Sequence, residues 1–371
     1  MTNGAVYLDH NATTLIRPEA RRAVEAALAR AGNPSSAHRF GRAARRAVED
    51  AREQVARLVG ARPEAVVFTS GGTEANALAL AGAGRHRVLA SAIEHPSVLA
   101  ATPETTRIPV DGNGVVDLAA LETMLAASSE PALISVMLAN NETGVIQPVA
   151  QAAEIARRFG AIVHCDAVQA AGKMAIDCRA LGAHLVSLSG HKFGGPMGTG
   201  ALIVDDTVPL AALVRGGGQE RGWRAGTENV PGLAGLGAAA AAALSGLEDF
   251  ARLAALRDDM EVRVLAAVPA AAIAGRRAAR LPNTSCIALA GLPAETQVMA
   301  LDLAGVAVGA GAACSSGKTK ASPVLAAMGF EAALAGSAIR VSLGWTSTAA
   351  DIESFLTAWT ALAARARAVA A

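Results

Sequence analysis

The sequence predicts an α/β layered fold with a mainly parallel central sheet, on three observations. Short apolar runs alternate with amphipathic helical patterns along most of the chain. Those runs are continuous rather than alternating, as strands covered on both faces read. Polar and glycine-rich residues follow several of them, where open α/β sheets bind ligands beyond the carboxyl ends of their strands.

The elements follow in order. RPEARRAVEAALARA (17–31) and AHRFGRAARRAVEDAREQVARLVG (37–60) are amphipathic helices with arginine-rich outer faces. EAVVFTS (64–70) is a strand, followed by GGTEANALALAGA, a helix opened by glycines. RVLASA (87–92), PALISVMLAN (131–140), GAIVHCDA (160–167) and HLVSLS (184–189) read as buried parallel strands. PVAQAAEIARRFG (148–160) is a helix between two of them. GLAGLGAAAAAALSGL (232–247) is short for a bilayer span and reads as a packed helix. From about residue 251 the texture changes to a long helix, then NTSCIALAG, then further αβ material, which predicts a smaller second domain.

Composition narrows the function classes. The chain has 371 residues, with 33 Lys and Arg against 32 Asp and Glu, a net charge of +1. That balance gives no reason to expect a nucleic-acid or membrane partner. Hydrophobic residues make up 52% and aromatics only 3%, so the core is expected to consist of small side chains on helices. MTNGAVYLDH has no basic region followed by an apolar stretch, which predicts a cytoplasmic location. The four cysteines, Cys165, Cys178, Cys286 and Cys314, are then expected to be reduced. No His/Cys spacing predicts a metal cage.

Three segments carry polar groups just past apolar strands. In FTSGGTEAN (68–76), Gly71 and Gly72 permit a sharp turn into a helix whose free N–H groups suit a phosphate; capping by Thr73 is the alternative. Asp166 of HCDAVQ ends an apolar run, where an unpartnered carboxylate is costly. It is either another cap or the partner of a protonated pyridine nitrogen. Lys192 of SGHK lies between a histidine and a phenylalanine in a glycine-lined, apolar setting, which destabilises the ammonium and favours a neutral amine nucleophile. Ser189 and His191 beside it suit a phosphate. A surface lysine is the plainer alternative, weakened by the order in which these features occur.

At these residues the chain resembles the cysteine desulfurases, in the class V aminotransferase group of fold-type I pyridoxal-phosphate enzymes. YLDHNATT (7–14), GNPSSAHRFG (32–41), SGGTEANA (70–77), EHPSV (94–98), NNETGVIQP (140–148), DAVQ (166–169), SGHKFGGPMGTGAL (189–202), RAGTEN (224–229), ACSSG (313–317) and RVSLG (340–344) match family blocks in order. The resemblance implies a large cofactor-binding domain over 14–250 and a small domain of 1–13 with 251–371. It implies that Lys192 is joined to pyridoxal 5'-phosphate and that His95 stacks on the ring and moves protons. Asp166 would pair with the ring nitrogen and Gln169 with the ring hydroxyl. Gly72, Thr73, Ser189 and His191 would hold the phosphate, completed by Thr227 from the second subunit of a homodimer. Asn141 would contribute to the cofactor and substrate sites, and Arg340 would bind the carboxylate of L-cysteine. Cys314 would take the substrate sulfur as a persulfide, for an iron–sulfur scaffold or another acceptor. Its neighbourhood is similar to the long-loop type of the family. Selenocysteine lyase and a related class V aminotransferase are the alternative activities; Cys314 speaks against the aminotransferase, which needs no sulfur acceptor. The other three cysteines and His164 and His184 are expected to be structural.

Overall fold

The computed structural model describes residues 5–311 and 321–370, and side chains as far as 366. Its strands are β1 (Val6–Leu8), β2 (Val66–Thr69), β3 (Arg87–Ser91), β4 (Thr105–Ile108), β5 (Ala132–Ser135), β6 (Ile162–Asp166), β7 (Leu185–Ser189), β8 (Gly200–Val204), β9 (Ala272–Ile273), β10 (Thr284–Ala288), β11 (Val306–Ala310) and β12 (Ala338–Ser342). β2 to β8 form one seven-stranded sheet in the order β2-β8-β7-β6-β5-β3-β4. β8 alone runs against its neighbours; β3, β4, β5, β6 and β7 pair in parallel. β5, β6, β7 and β8 are buried at every position, as their apolar runs require.

The predicted helices are present at Pro18–Leu28, Arg39–Leu58, Gly72–Gly82, Val149–Arg158, Val230–Ser245 and Leu253–Ala267. The alanine- and glycine-rich Val230–Ser245 helix packs against the first two. Small residues allow that close approach: a Cβ on Gly237 would lie 2.6 Å from the Ala51 Cα. No single helix among the described residues is long and apolar enough to cross a bilayer.

Two strands of the seven-stranded sheet lack the apolar pattern that predicts the others. β4 reads TTRI, an edge strand whose middle residues face solvent, so it carries no apolar signal. β8 emerges from a glycine-rich stretch that reads as a turn. In the apolar run at 131–140 the strand ends at Ser135, yet the chain stays buried and its Val136 and Leu138 N–H groups still donate to the His164 and Asp166 carbonyls of β6. Asn140 turns the chain there, its Oδ1 accepting from the Glu142 and Thr143 N–H groups.

A second sheet has the order β1-β11-β12-β10-β9. Its core contains Leu8, Ile287, Ile339, Phe355 and Trp359. The buried Trp359 indole donates to Gln297 Oε1 at 2.9 Å, and Gln297 Nε2 donates to the carbonyls of Leu292 and Ser337. Trp359→Ala is expected to leave a cavity and an unpaired amide oxygen, lowering stability by about 3–5 kcal/mol. A lower urea midpoint at unchanged slope would report it.

Candidate active site

A cleft of about 560 Å³ opens beyond the carboxyl ends of β6 and β7 and is lined by Gly72, Thr73, His95, Asn141, Asp166, Gln169, Ser189, His191 and Lys192. Nine of the expected site residues therefore share one space. Thr227 and Arg340 are not among its walls. Cys314 lies outside the described residues.

Asp166 forms the cleft's acidic floor. The apolar β6 carries it to the sheet end, where Oδ1 accepts from the Val168 N–H at 2.9 Å and Oδ2 from Asn76 Nδ2 at 2.8 Å. Among the described residues no cationic side chain is hydrogen-bonded to it. The strands beneath are tied together by His164, in the interior of β6, whose two ring nitrogens bond Ser135 Oγ and Ser187 Oγ. Burial pushes that imidazole down to about 3, so it is neutral. Cys165 and Cys286 are fully buried in strand interiors, and burial raises all three described thiols.

The helix Gly72–Gly82 starts at the opposite end of the cleft. Its N-cap is Gly71, with no side-chain capping bond, so Thr73 sits inside the first turn rather than capping it. A Cβ on Gly72 would lie 2.8 Å from Val168 Cγ2, so the helix start approaches that close only as glycine. His191 faces the same end with Nδ1 buried and unpartnered, and burial, then Lys192 and Lys173, hold its ring at about 4. Free helix N–H groups, Ser189 and an unpartnered imidazole nitrogen are donors and acceptors suited to a phosphate monoester. With Asp166 at the other end, the residues fit pyridoxal phosphate.

Lys192 follows β7 in a single 3₁₀ turn, Gly190–Lys192. Its Nζ donates to the carbonyls of Asn11 and Ala12, at 2.7 and 2.8 Å. Burial first, then the positive charge of Arg340, push its amine down to about 8. A second lysine, Lys173, is buried four residues beyond Gln169, and sequence reading gave it no role. Its Nζ donates to Gln169 Oε1 and Asn11 Oδ1, both at 2.8 Å. Burial, then Lys192 and Arg340, hold it well below the usual lysine range. Gln169 Nε2 donates to the Asn11 carbonyl, so the amide is oriented before any ligand arrives.

Arg340 projects from β12 with Nη2 on Asp9 Oδ1 at 2.7 Å and Nη1 on the Asn141 carbonyl at 3.1 Å; its buried Nε has no partner among the described residues. The guanidinium expected to meet a carboxylate is thus already paired with Asp9. Thr227 is exposed. Its loop is held by Arg224 on Glu74 and by Glu220, which takes both guanidinium nitrogens of the buried Arg52 and the Phe68 N–H. The described chain flanking 312–320 meets Glu142: Ser322 donates to Oε2 at 2.5 Å, and a Cβ on Gly311 would lie 2.9 Å from the same oxygen. Burial raises that carboxyl to about 7. The described residues on either side of that stretch, Gly311 and Ser322, thus meet at Glu142, the sequence neighbour of Asn141 in the cleft wall.

The comparisons agree with this geometry. A family model described as aminotransferase class-V matches residues 6–355. The chain is 47% identical to a cysteine desulfurase of Cereibacter sphaeroides, over 95% of this chain and 94% of that one. It is 40% identical to an IscS-like cysteine desulfurase of Mycobacterium tuberculosis, over 97% of each. An NifS-like protein from Rickettsia africae superposes with a TM-score of 0.89 at 36% identity, covering 96% of this chain and 98% of that one.

The lowered amine of Lys192 has a consequence for stability. The unfolded chain holds that proton more tightly, so the folded state is penalised below about pH 8 and relieved as pH rises toward 10.5. In the cofactor-free protein, Lys192→Met is expected to stabilise by about 1–2 kcal/mol at pH 7. The gain should shrink across that window, and urea unfolding at pH 7 and pH 10 measures it; a gain independent of pH contradicts the assignment.

Proposed function

We propose that this chain, which belongs to the aminotransferase class-V family, is a pyridoxal-phosphate-dependent cysteine desulfurase that converts L-cysteine to L-alanine and passes the sulfur to Cys314. The observation that carries the reading is the opening of the Lys192 amine and the Asp166 carboxylate into one cleft whose far end is an uncapped helix start. Relatives named cysteine desulfurase favour it over selenocysteine lyase or an aminotransferase.

When bound, the cofactor supplies an electron sink for charge developing at the substrate Cα. Asp166 would hold the proton on the ring nitrogen, its carboxylate kept in place by its two existing N–H donors. Gly72, Thr73, Ser189 and His191 would hold the phosphate, and Gln169 the ring hydroxyl. Lys192 would hold the cofactor covalently. Its free amine, which burial lowers to about 8, would serve as the general base that takes the substrate Cα proton. Asn141 and Arg340 would bind the substrate carboxylate, with Asp9 yielding part of the guanidinium fork. The Cys314 thiolate would attack the substrate sulfur: a sulfur–sulfur bond forms, the substrate carbon–sulfur bond breaks, and a proton ends on that carbon, giving alanine and a persulfide.

The chain acts as a homodimer in this reading, with Thr227 completing the phosphate site of the second subunit. The exposure of Thr227 outside its own cleft, on an anchored loop, supports that arrangement. The persulfide would serve an iron–sulfur scaffold or another sulfur acceptor in the cytoplasm, with no nucleic-acid or membrane partner, in keeping with the balanced net charge.

Alanine and sulfide release from cysteine tests the activity. Lys192→Ala is expected to abolish both products. Cys314→Ala is expected to keep the cofactor absorbance yet lose sulfide release by at least about a hundredfold. Full sulfide release by Cys314→Ala would remove that residue from the mechanism.

A further inference from the structure

We propose that Asn76 and Ser97 are positioning residues that lock His95 into the tautomer protonated at Nε2 and link it to Asp166. The chain of bonds runs Asp166 Oδ2 to Asn76 Nδ2 at 2.8 Å, Asn76 Nδ2 to Ser97 Oγ at 2.9 Å, and Ser97 Oγ to His95 Nδ1 at 2.7 Å. The Ser97 backbone N–H also points at His95 Nδ1, at 3.1 Å.

Donor and acceptor chemistry fixes every proton in this chain. A carboxylate only accepts, so the Asn76 amide must turn its nitrogen, not its oxygen, to Asp166. The second amide hydrogen then goes to Ser97 Oγ, which is forced to accept there. The Ser97 backbone N–H is directed at His95 Nδ1 and makes that nitrogen an acceptor, so the Ser97 hydroxyl donates its proton there too. With that hydroxyl and a backbone N–H both directed at it, Nδ1 has to be the bare nitrogen, and the neutral ring carries its proton on Nε2. His95 opens into the cleft. It therefore presents a proton donor to whatever lies there.

A second observation marks the arrangement as built for more than packing. Asn76 is 1% exposed within the helix Gly72–Gly82, and its buried Oδ1 has no partner among the described residues. An alanine would avoid that cost in a helix interior. The asparagine gives up one of its hydrogen bonds to supply two N–H groups from its amide nitrogen, one to Asp166 and one to Ser97 Oγ. Burial lowers the His95 pKa, against the opposing charge of Asp166 and with the help of Lys192, in the same sense as two donors aimed at Nδ1.

The inference concerns the site proposed above, but its test does not need the proposed reaction. Two- and three-bond proton–nitrogen correlation spectra of the holoenzyme, labelled with nitrogen-15 in histidine, read the tautomer without substrate. The His95 signals are identified by their loss in His95→Asn. Expected are a protonated Nε2 and a bare, hydrogen-bonded Nδ1; protonation at Nδ1 would overturn the proposal, and this measurement needs no variant of Asn76 or Ser97 to fold. In Ser97→Ala, an Nδ1-protonated population is expected to become measurable, with Ser97→Thr restoring the native spectrum. Asn76→Ala is expected to change the His95 signals and also shift the absorbance of the bound cofactor through Asp166, whereas Ser97→Ala leaves that absorbance in place. A His95 spectrum indifferent to both alanine variants overturns the lock. If these spectra behave as expected while cysteine yields no alanine, only the reaction assignment fails.

Discussion

Asn11 donates from its amide to the Asn141 carbonyl and to Thr284 Oγ1, while its own carbonyl accepts from Lys192 and Gln169. Its Oδ1 takes the Lys173 ammonium and the Asn283 amide. Asn141, Gln169, Lys173 and Lys192 belong to loops of the seven-stranded sheet, whereas Asn283 and Thr284 belong to β10 and its approach. The residue is 1% exposed, so each of these bonds is made where water could not replace it. The cleft exists because the two sheets present their polar ends to one another across this side chain. Lys173 answers the same constraint. Two neutral oxygens receive it and no carboxylate does, so burial weakens its charge and the amine serves to orient Gln169.

Charge around the reacting amine follows from that frame. Arg340 lies close enough to weaken the Lys192 ammonium, while Asp9 and Asp166 favour it. Asp9 also holds the guanidinium itself. The amine near pH 8 is thus a compromise among groups from both sheets, with burial the largest contributor.

Much of this was legible in the chain because polar residues interrupt apolar runs at their ends. Asp166 and Lys192 stand out for that reason, as do the glycines before Thr73, and the structure places all of them on one cleft. The strands that packing demands were visible as well, except where exposure at β4 or glycine before β8 erased the apolar pattern. What could not be read was who bonds to whom over long sequence distances. Asn11 meets Lys192 across 181 positions and Asn283 across 272, and no local spacing encodes such partners. Nothing local marks Asn76; its role emerges only when Asp166 and Ser97 are seen on either side of its nitrogen. Thr73 can be read as a cap from its type and position, yet Gly71, two residues earlier, takes that place.

The imidazole strung between Ser135 and Ser187 makes three adjacent strands answer to one ring. Because it is uncharged and dry, neither acid nor salt within the ordinary range loosens it. Asp166 stands two residues beyond that ring on β6, and Ser189 two beyond its partner on β7. The acidic floor and the anion-holding end are accordingly mounted on a common plate, and any breathing of the molecule has to come from what surrounds it.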